Sequence, residues 1–479
     1  MIHRLFSPVQ RPPTLTEALV SLIALVVGIG VSIVVYGLDP QIPMLLGVIV
    51  ASLVALRCGY RWDDIQEGMV RGIHNALPAL IILMVVGVLI GVWIQAGVVP
   101  TLISYGLKLL SPTIFLPAAV VICAISSLAT GSSWGTSGTL GVALMGIGGS
   151  LGIPLPLVAG AVLSGAYFGD KMSPLSDTTN LAPAMAGTDL FTHIKHMSYT
   201  TGVSIGLTLV IEMALSLYYS GTSGGLERVE VMQQTLAAHY VINPVLLLPP
   251  LLVLFVSYKR LPAIPGITLG VIAGGLCALG MQGADYAELM QVAFGGVTSD
   301  TGVEAVDSLL SRGGLNSMFY TISLVIVAMM FGGVMERTQQ LRTIAETILK
   351  AARTRGSLIL STVLTSIGAN VVLCDQYMAI VMGARTYAEA YRERGLAPEN
   401  LSRAVEDSAT VTANLVPWNS GGAYQAATLG VATIAYLPFN FFCWLSPLVT
   451  VLYGYTGWTI KPLAAPEDDA TPAVPGAKE

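Results

Sequence analysis

Two stretches of this chain place acids, amides and hydroxyls inside sequence that is otherwise almost entirely apolar. The first, FGDKMSPLSDTTNLAP (Phe168–Pro183), carries Asp170, Lys171, Asp177 and Asn180. Around them stand the hydroxyls of Tyr167, Ser173, Ser176, Thr178 and Thr179, with Pro174 and Pro183 as helix breakers. The second, EDSATVTANLVPWNSGG (Glu406–Gly422), supplies Glu406, Asp407, Ser408, Thr410, Thr412, Asn414, Asn419 and Ser420, and GANVVLCDQY (Gly368–Tyr377) ahead of it adds Asn370, Asp375 and Gln376. These are oxygen donors, the ligand type hard cations take. At low dielectric a carboxylate disfavours its charged form, so a proton competes with a metal ion for it. One acid that accepts either is the minimum for exchanging a cation against a proton, and two neighbouring acids titrate as a coupled pair.

Each of these acids has a second reading. Asp170 beside Lys171 is either a ligand or half of a structural ion pair. Asp177, followed by two threonines, is either a ligand or the N-cap of a half-helix. Asp375 and Asp407 divide evenly between ligand and structural roles. Glu406 follows the amphipathic LSRAV and reads better as a residue of the cytoplasmic interface. Glu212, alone in IEMALSLYY, reads as a helix-packing acid, and His193 and His196 as members of an interfacial loop.

The elements that must hold these residues are membrane helices. Hydrophobic residues make up 54% of the chain and charged residues 11%, against roughly a quarter charged in an ordinary soluble domain. Mean hydropathy is +0.72. A span needs ~20 apolar residues, which places crossings at about 17–36, 42–57, 76–95, 198–219, 240–257, 262–280, 316–335 and 438–453. Lys and Arg concentrate in alternate loops, among them Arg57, Arg61, Arg71, Lys195, Lys259, Arg337, Arg342 and Arg355, so these loops and the N-terminus are expected on the cytoplasmic side. The interrupted stretches 112–187 and 357–436 must then each start and end on opposite sides, crossing an odd number of times. The simplest path for both is a re-entrant hairpin followed by a broken helix. The hairpin tips fall at TGSSWGTS (Thr130–Ser137, with Ser132, Ser133 and Thr136) and near Gly368–Tyr377. A constant shift of 243 residues lays Gly152 on Gly395, Pro174 on Pro417 and Gly187 on Gly430. Because the two stretches start from opposite sides, this predicts an inverted repeat, over about 76–219 and 316–455. Paired broken helices of that kind belong to secondary transporters.

Several classes are excluded. Gly131–Gly135 matches the G-x-S-x-G nucleophile pattern, but that pattern needs a preceding strand and a histidine in reach, and its flanks here read as helices. No phosphate-binding loop or zinc or haem spacing occurs, so neither an ATP-driven pump nor a resident cofactor is expected. A net charge of −5 gives no sign of nucleic acid binding. The five cysteines lie in or beside apolar runs and read as packing residues. Residues 1–16 are expected as a cytoplasmic segment, 17–455 as one transmembrane domain and 456–479 as a disordered tail.

On TGSSWGTSGTLG (Thr130–Gly141), GDKMSPLSDTTNLAPAMAGTDL (Gly169–Leu190) and EDSATVTANLVPWNSGGAY (Glu406–Tyr424), the chain resembles the NhaC family of Na⁺/H⁺ antiporters, including its malate/lactate-exchanging relatives. The resemblance implies a multi-pass bacterial inner-membrane protein that exchanges Na⁺ for H⁺. It marks Asp170, Ser173, Asp177, Thr178 and Asn180, with Asp407, Thr410, Asn419 and Ser420, as candidate site residues. Ala409 and Ala413-Asn414 depart from the expected pattern, where Gly and Ser-Pro are usual. The resulting reading is an all-α polytopic protein with about ten crossings plus two hairpins. It works by alternating access, with Asp177 and Asp407 as the Na⁺ candidates and Asp375 and Asn414 as further ligands. Membrane lipids and the transported Na⁺ and H⁺ are its partners, and a homodimer follows by analogy. The rival reading adds a small carboxylate or amino acid as a co-exchanged solute, touched by Asn414 or Trp418. A cation channel is disfavoured because its pore needs no broken helices.

Overall fold

The computed structural model describes residues 10–220, 225–259 and 261–463. The regular elements of the described residues are all helices, and their one β contact is an isolated bridge between Leu396 and Pro462. Among them, seven helices are long and apolar enough to cross a membrane, or up to nine if two bent pairs each count as one span. The expectation of about ten crossings exceeds this because Gln41–Arg57, at 17 residues, is too short for such a test and neither broken helix passes it. Each is divided into pieces, Leu155–Met172 with Asp177–Ala186, and Pro398–Thr410 with Ser420–Leu429. One bent pair is also new. Val229–His239 meets Pro244–Val256 at 101°, where a single span from about 240 was expected.

The scaffold is built on two helices that touch backbone to backbone. Trp62–Gln95 is 34 residues long, starting well before the expected residue 76, and it packs against Phe319–Arg337. A Cβ on Gly72 would run into the carbonyl of Met329 and into Gly333, so the approach depends on glycine.

Against this scaffold lie two hairpin-plus-broken-helix units. The first hairpin descends through Phe115–Thr130 and turns at Gly131. Gly131 has φ 70°, and a Cβ there would meet the backbone of Leu175 in the neighbouring break, so glycine is needed twice over. The second hairpin runs through Arg355–Leu373 and Gln376–Glu393. Its turn residue, Cys374, also has a positive φ, 57°, which is uncommon for a residue with a side chain. At both tips a side chain caps the returning helix: Ser132 accepts from Gly135 N–H at 3.0 Å, and Asp375 from Met378 N–H at 2.9 Å.

The expected N-terminal segment falls partly on residues 1–9, which lie outside the described residues. The expected tail begins too early. Through Leu463 the chain is held to the start of the second broken helix, with Asn400 Nδ2 donating to the Lys461 carbonyl at 2.7 Å and Lys461 Nζ 3.2 Å from Glu399. Residues 464–479 are outside the described set.

Candidate cation site

The first break is built to hold its own loose ends. The helix stops at Met172, and the hydroxyl of Thr179 donates back to the carbonyls of Lys171 (3.0 Å) and Asp170 (3.3 Å). Ser176 caps the half-helix that resumes at Asp177. Asn180 donates to the carbonyls of Pro174 and Ser176, at 2.9 and 2.7 Å. Ser173 ties the break to the hairpin by donating to the Leu128 carbonyl at 2.8 Å. Most of the polar residues here therefore serve the backbone, as buried N–H and C=O groups require.

Asp170 does something else. Its carboxylate, 6% exposed, accepts from both the N–H (3.1 Å) and the hydroxyl (2.6 Å) of Ser133 at the tip of the first hairpin. Its neighbour Lys171 reaches across to the second broken helix. The Lys171 ammonium pairs with Asp407 and donates to Ser446 Oγ at 2.8 Å, and both members of the pair are fully buried. The hydroxyls of Thr200, at 2.7 Å, and Thr450 complete the surroundings of Asp407. One residue before it, Glu406 is also fully buried, and among the described residues neither of its oxygens is held in hydrogen-bond geometry. The hydroxyls of Thr410 and Thr178 and the charges of Lys171 and Asp170 face it.

The second break is anchored by amides. Ser420 N–H donates to the Cys374 carbonyl at 2.9 Å, Asn419 to the Asn370 carbonyl at 3.0 Å, and Trp418 Nε1 to the Val371 carbonyl at 2.8 Å. Asn370 in turn donates to the Ala409 carbonyl at 2.6 Å. Asn414 donates to the Val411 carbonyl and accepts from Asn440 at 2.5 Å. The two units meet where Trp134 stacks on Tyr424, centroids 4.2 Å apart, and Tyr424 OH donates to the Trp134 carbonyl at 2.9 Å.

A family model described as the Na⁺/H⁺ antiporter family matches residues 14–167 and 165–458. The chain belongs to that family. It is 39% identical to the Na⁺/H⁺ antiporter NhaC of Alkalihalophilus pseudofirmus, over 92% of this chain and 96% of that protein. Identity is also 39% to the malate-2H⁺/Na⁺-lactate antiporter of Bacillus subtilis, over 93% and 96%. The arginine/ornithine antiporter ArcD of Halobacterium salinarum is 38% identical over 98% of each chain. Among solved structures, Neisseria gonorrhoeae MtrF aligns over 94% of this chain and 96% of its own, at 12% identity and a TM-score of 0.40.

Within this antiporter-family chain, the residues singled out from sequence fall into three groups. Asp170, Ser133, Thr178, Thr410 and Asp407 come together between the breaks, Asp407 with its charge already matched by Lys171. Ser132, Ser173, Asp375, Asn414, Asn419 and Ser420 are occupied in capping or joining backbone, and Thr136 faces Ser126 Oγ at 3.3 Å. Asp177 and Asn180 are exposed, at the first turn of the half-helix. Asp177 is not the N-cap; Ser176 is. Sequence reasoning passes over two residues of the cluster. The ion-pair alternative it weighs for Lys171 is with its neighbour Asp170, whereas the actual partner lies 236 positions away. It puts Glu406 at the interface because of the charged amphipathic run before it, yet that run is buried, with Arg403 only 1% exposed and donating to Thr459 Oγ1. Ser133 of the G-x-S-x-G match follows a helix, and its hydroxyl serves Asp170.

Proposed function

We propose that this chain exchanges Na⁺ for H⁺ across a bacterial inner membrane by alternating access, with its N-terminus cytoplasmic and its two halves related as inverted repeats. The observation that carries the reading is a charge inventory. Asp170, Glu406 and Asp407 are buried where the breaks meet, and Lys171 is the ammonium among them. Even counting Arg403, which turns to Thr459, the acids outnumber the bases. The interior tolerates that surplus of negative charge only when a cation or a proton neutralises it. A site that accepts either, one at a time, converts an inward proton gradient into outward movement of Na⁺. The relative named as a Na⁺/H⁺ antiporter supports the same chemistry.

A second reading, co-exchange of a small organic acid, is favoured by one feature. A cavity of about 760 Å³ reaches Leu373 and Met378 beside the tip of the second hairpin. Its walls carry Arg71, Arg337, Arg342 and Arg385; Arg337 is held by Asp64 and Glu67 and Arg342 by Glu346, so the reading rests on Arg71 and Arg385, with Glu336 as the remaining acid of the wall. The test of both readings is transport by the purified protein in liposomes loaded with a pH-sensitive dye. Added Na⁺ alone should collapse an imposed pH gradient. A response that appears only with malate, lactate or an amino acid present selects the second reading, and current without pH coupling rejects both.

A further inference from the structure

Beyond the exchange itself, and resting on that reading, we propose that the Na⁺-sized cation sits on Glu406, ligated by its carboxylate and by the hydroxyls of Thr410 and Thr178, while Asp407 serves as the fixed counter-charge of Lys171.

The neighbouring groups are already committed. Asp407 is taken by Lys171, Thr200 and Thr450, and Asp170 by both donors of Ser133. The Lys171 ammonium divides itself between Asp407 and Ser446. Glu406 is different: it is fully buried, and among the described residues only the hydroxyls of Thr410 and Thr178 come near its oxygens, neither in hydrogen-bond geometry. The hydroxyl of Thr410, one turn on and also fully buried, makes no other hydrogen bond among the described residues. The Thr178 hydroxyl approaches from the first break, where it lies 3.1 Å from Ser176 Oγ. An ionised carboxylate left this way in the interior costs several kcal/mol, so the geometry calls for an occupant. Carboxylate plus hydroxyl oxygens suit a hard, small cation rather than a thiophilic metal or an anion.

The backbone agrees. Glu406–Thr410 is wound as a single π turn and is followed by the tight turn Ala413–Leu415, so the helix is loosened at the residues that would ligate. Single π turns inside helices gather at functional sites. Ligands from both broken helices also couple occupancy to their relative position, because Thr178 and Glu406 belong to different halves of the chain.

The test is Na⁺ binding by the full-length purified protein, read as the shift in unfolding temperature and as radiolabelled Na⁺ bound when NaCl replaces N-methylglucamine chloride. Wild type should show a saturable Na⁺ response. Glu406→Gln should abolish it or weaken it by about tenfold or more. Thr410→Val, which keeps the acid, should weaken it severalfold while eluting as a folded protein, and Thr410→Ser should restore it. The exposed Glu389→Gln should bind like wild type. Na⁺ binding by folded Glu406→Gln within about twofold of wild type overturns the assignment and leaves the exchange reading standing. Should Glu406→Gln fail to fold, an unchanged affinity in Thr410→Val overturns it equally. If wild type neither binds nor transports Na⁺, the exchange reading falls and this assignment falls with it.

Discussion

The two breaks make the same backbone demands and meet them at matching positions, yet only the first has charged residues directly before it. At a shift of 243 residues the left-handed turn residues correspond, Gly131 with Cys374, Gly152 with Gly395 and Gly187 with Gly430. The capping side chains correspond as well, Ser132 with Asp375 and Ser176 with Asn419. What differs is the residue pair just before each break. Asp170-Lys171 falls on Ala413-Asn414, and Asp407 falls on Ser164. Where Lys171 makes a buried ion pair with Asp407, its counterpart belongs to an amide chain: Asn440 donates to Asn414, and Ser164 donates to Asn440 at 3.2 Å. Closing a broken helix therefore needs only caps and amides. The charges are an addition, gathered at one of the two equivalent contacts between the broken helices, and they call for a purpose that backbone closure does not supply.

The sharpest way to break this comparison is to remove one charge. Lys171→Met strands Asp407 with two hydroxyls, and breaking a buried pair from one side costs about 3–5 kcal/mol. We expect a large fall in unfolding temperature in detergent. The double variant with Asp407→Asn should recover much of it, since a neutral site of similar volume has no charge to desolvate. If the single variant is as stable as wild type, the pair is not an ion pair and the asymmetry loses its energetic content.

Next in size is the link from the charged break to its hairpin. Ser133→Ala removes the hydroxyl donor of Asp170 and keeps the backbone one. Hydrogen bonds to charged groups are worth about 1.5–3 kcal/mol, so we expect both lower stability and an altered apparent Na⁺ affinity. On the neutral side, Asn440→Ala orphans the Asn414 amide oxygen at a cost of about 1–3 kcal/mol. Sodium affinity should there stay at the wild-type value in the protein that remains folded. An equal change of affinity in both variants would show that the neutral amide chain contributes to the cation site as much as the charged cluster does.

How much of this is legible without the structure follows from the range of each interaction. The hairpin tips and breaks are readable because Gly131, Pro174, Pro417 and the small polar residues around them are local signals for turns and caps. Asp170 stands out because an acid amid apolar sequence is rare. Lys171 is visible, but its partner is not, since nothing local points from residue 171 to residue 407. Glu406 is lost to a pattern that holds for surface helices: LSRAVED is amphipathic, but Arg403 is buried against Thr459 and that face meets protein, not water. The start of the long helix at Trp62 is hidden likewise, because Asp63, Asp64, Glu67 and Arg71 read as loop while the helix runs on past the apolar segment. There Arg337 holds Asp64 and Glu67 at 3.0 and 2.9 Å.

The smallest expected effect tests whether charge matters outside the breaks. Asp307 lies in the connection between the two halves, where its carboxylate accepts from Thr301 N–H (2.7 Å), Thr301 Oγ1 (2.8 Å) and Ser299 Oγ (2.8 Å). These donors, the Thr301 N–H foremost, hold its pKa below the ordinary aspartate value. A folded-state pKa below the unfolded one means the stabilisation is present above the unfolded value and disappears as pH falls through the folded one. Unfolding temperatures of wild type and Asp307→Asn should differ slightly at neutral pH and converge on acidification below ~4. Sodium affinity should be the same in both proteins. A changed affinity in Asp307→Asn would mean that the connection, and not only the charged break, contributes to the site, because an acid outside the buried cluster has no direct path to a cation held on Glu406.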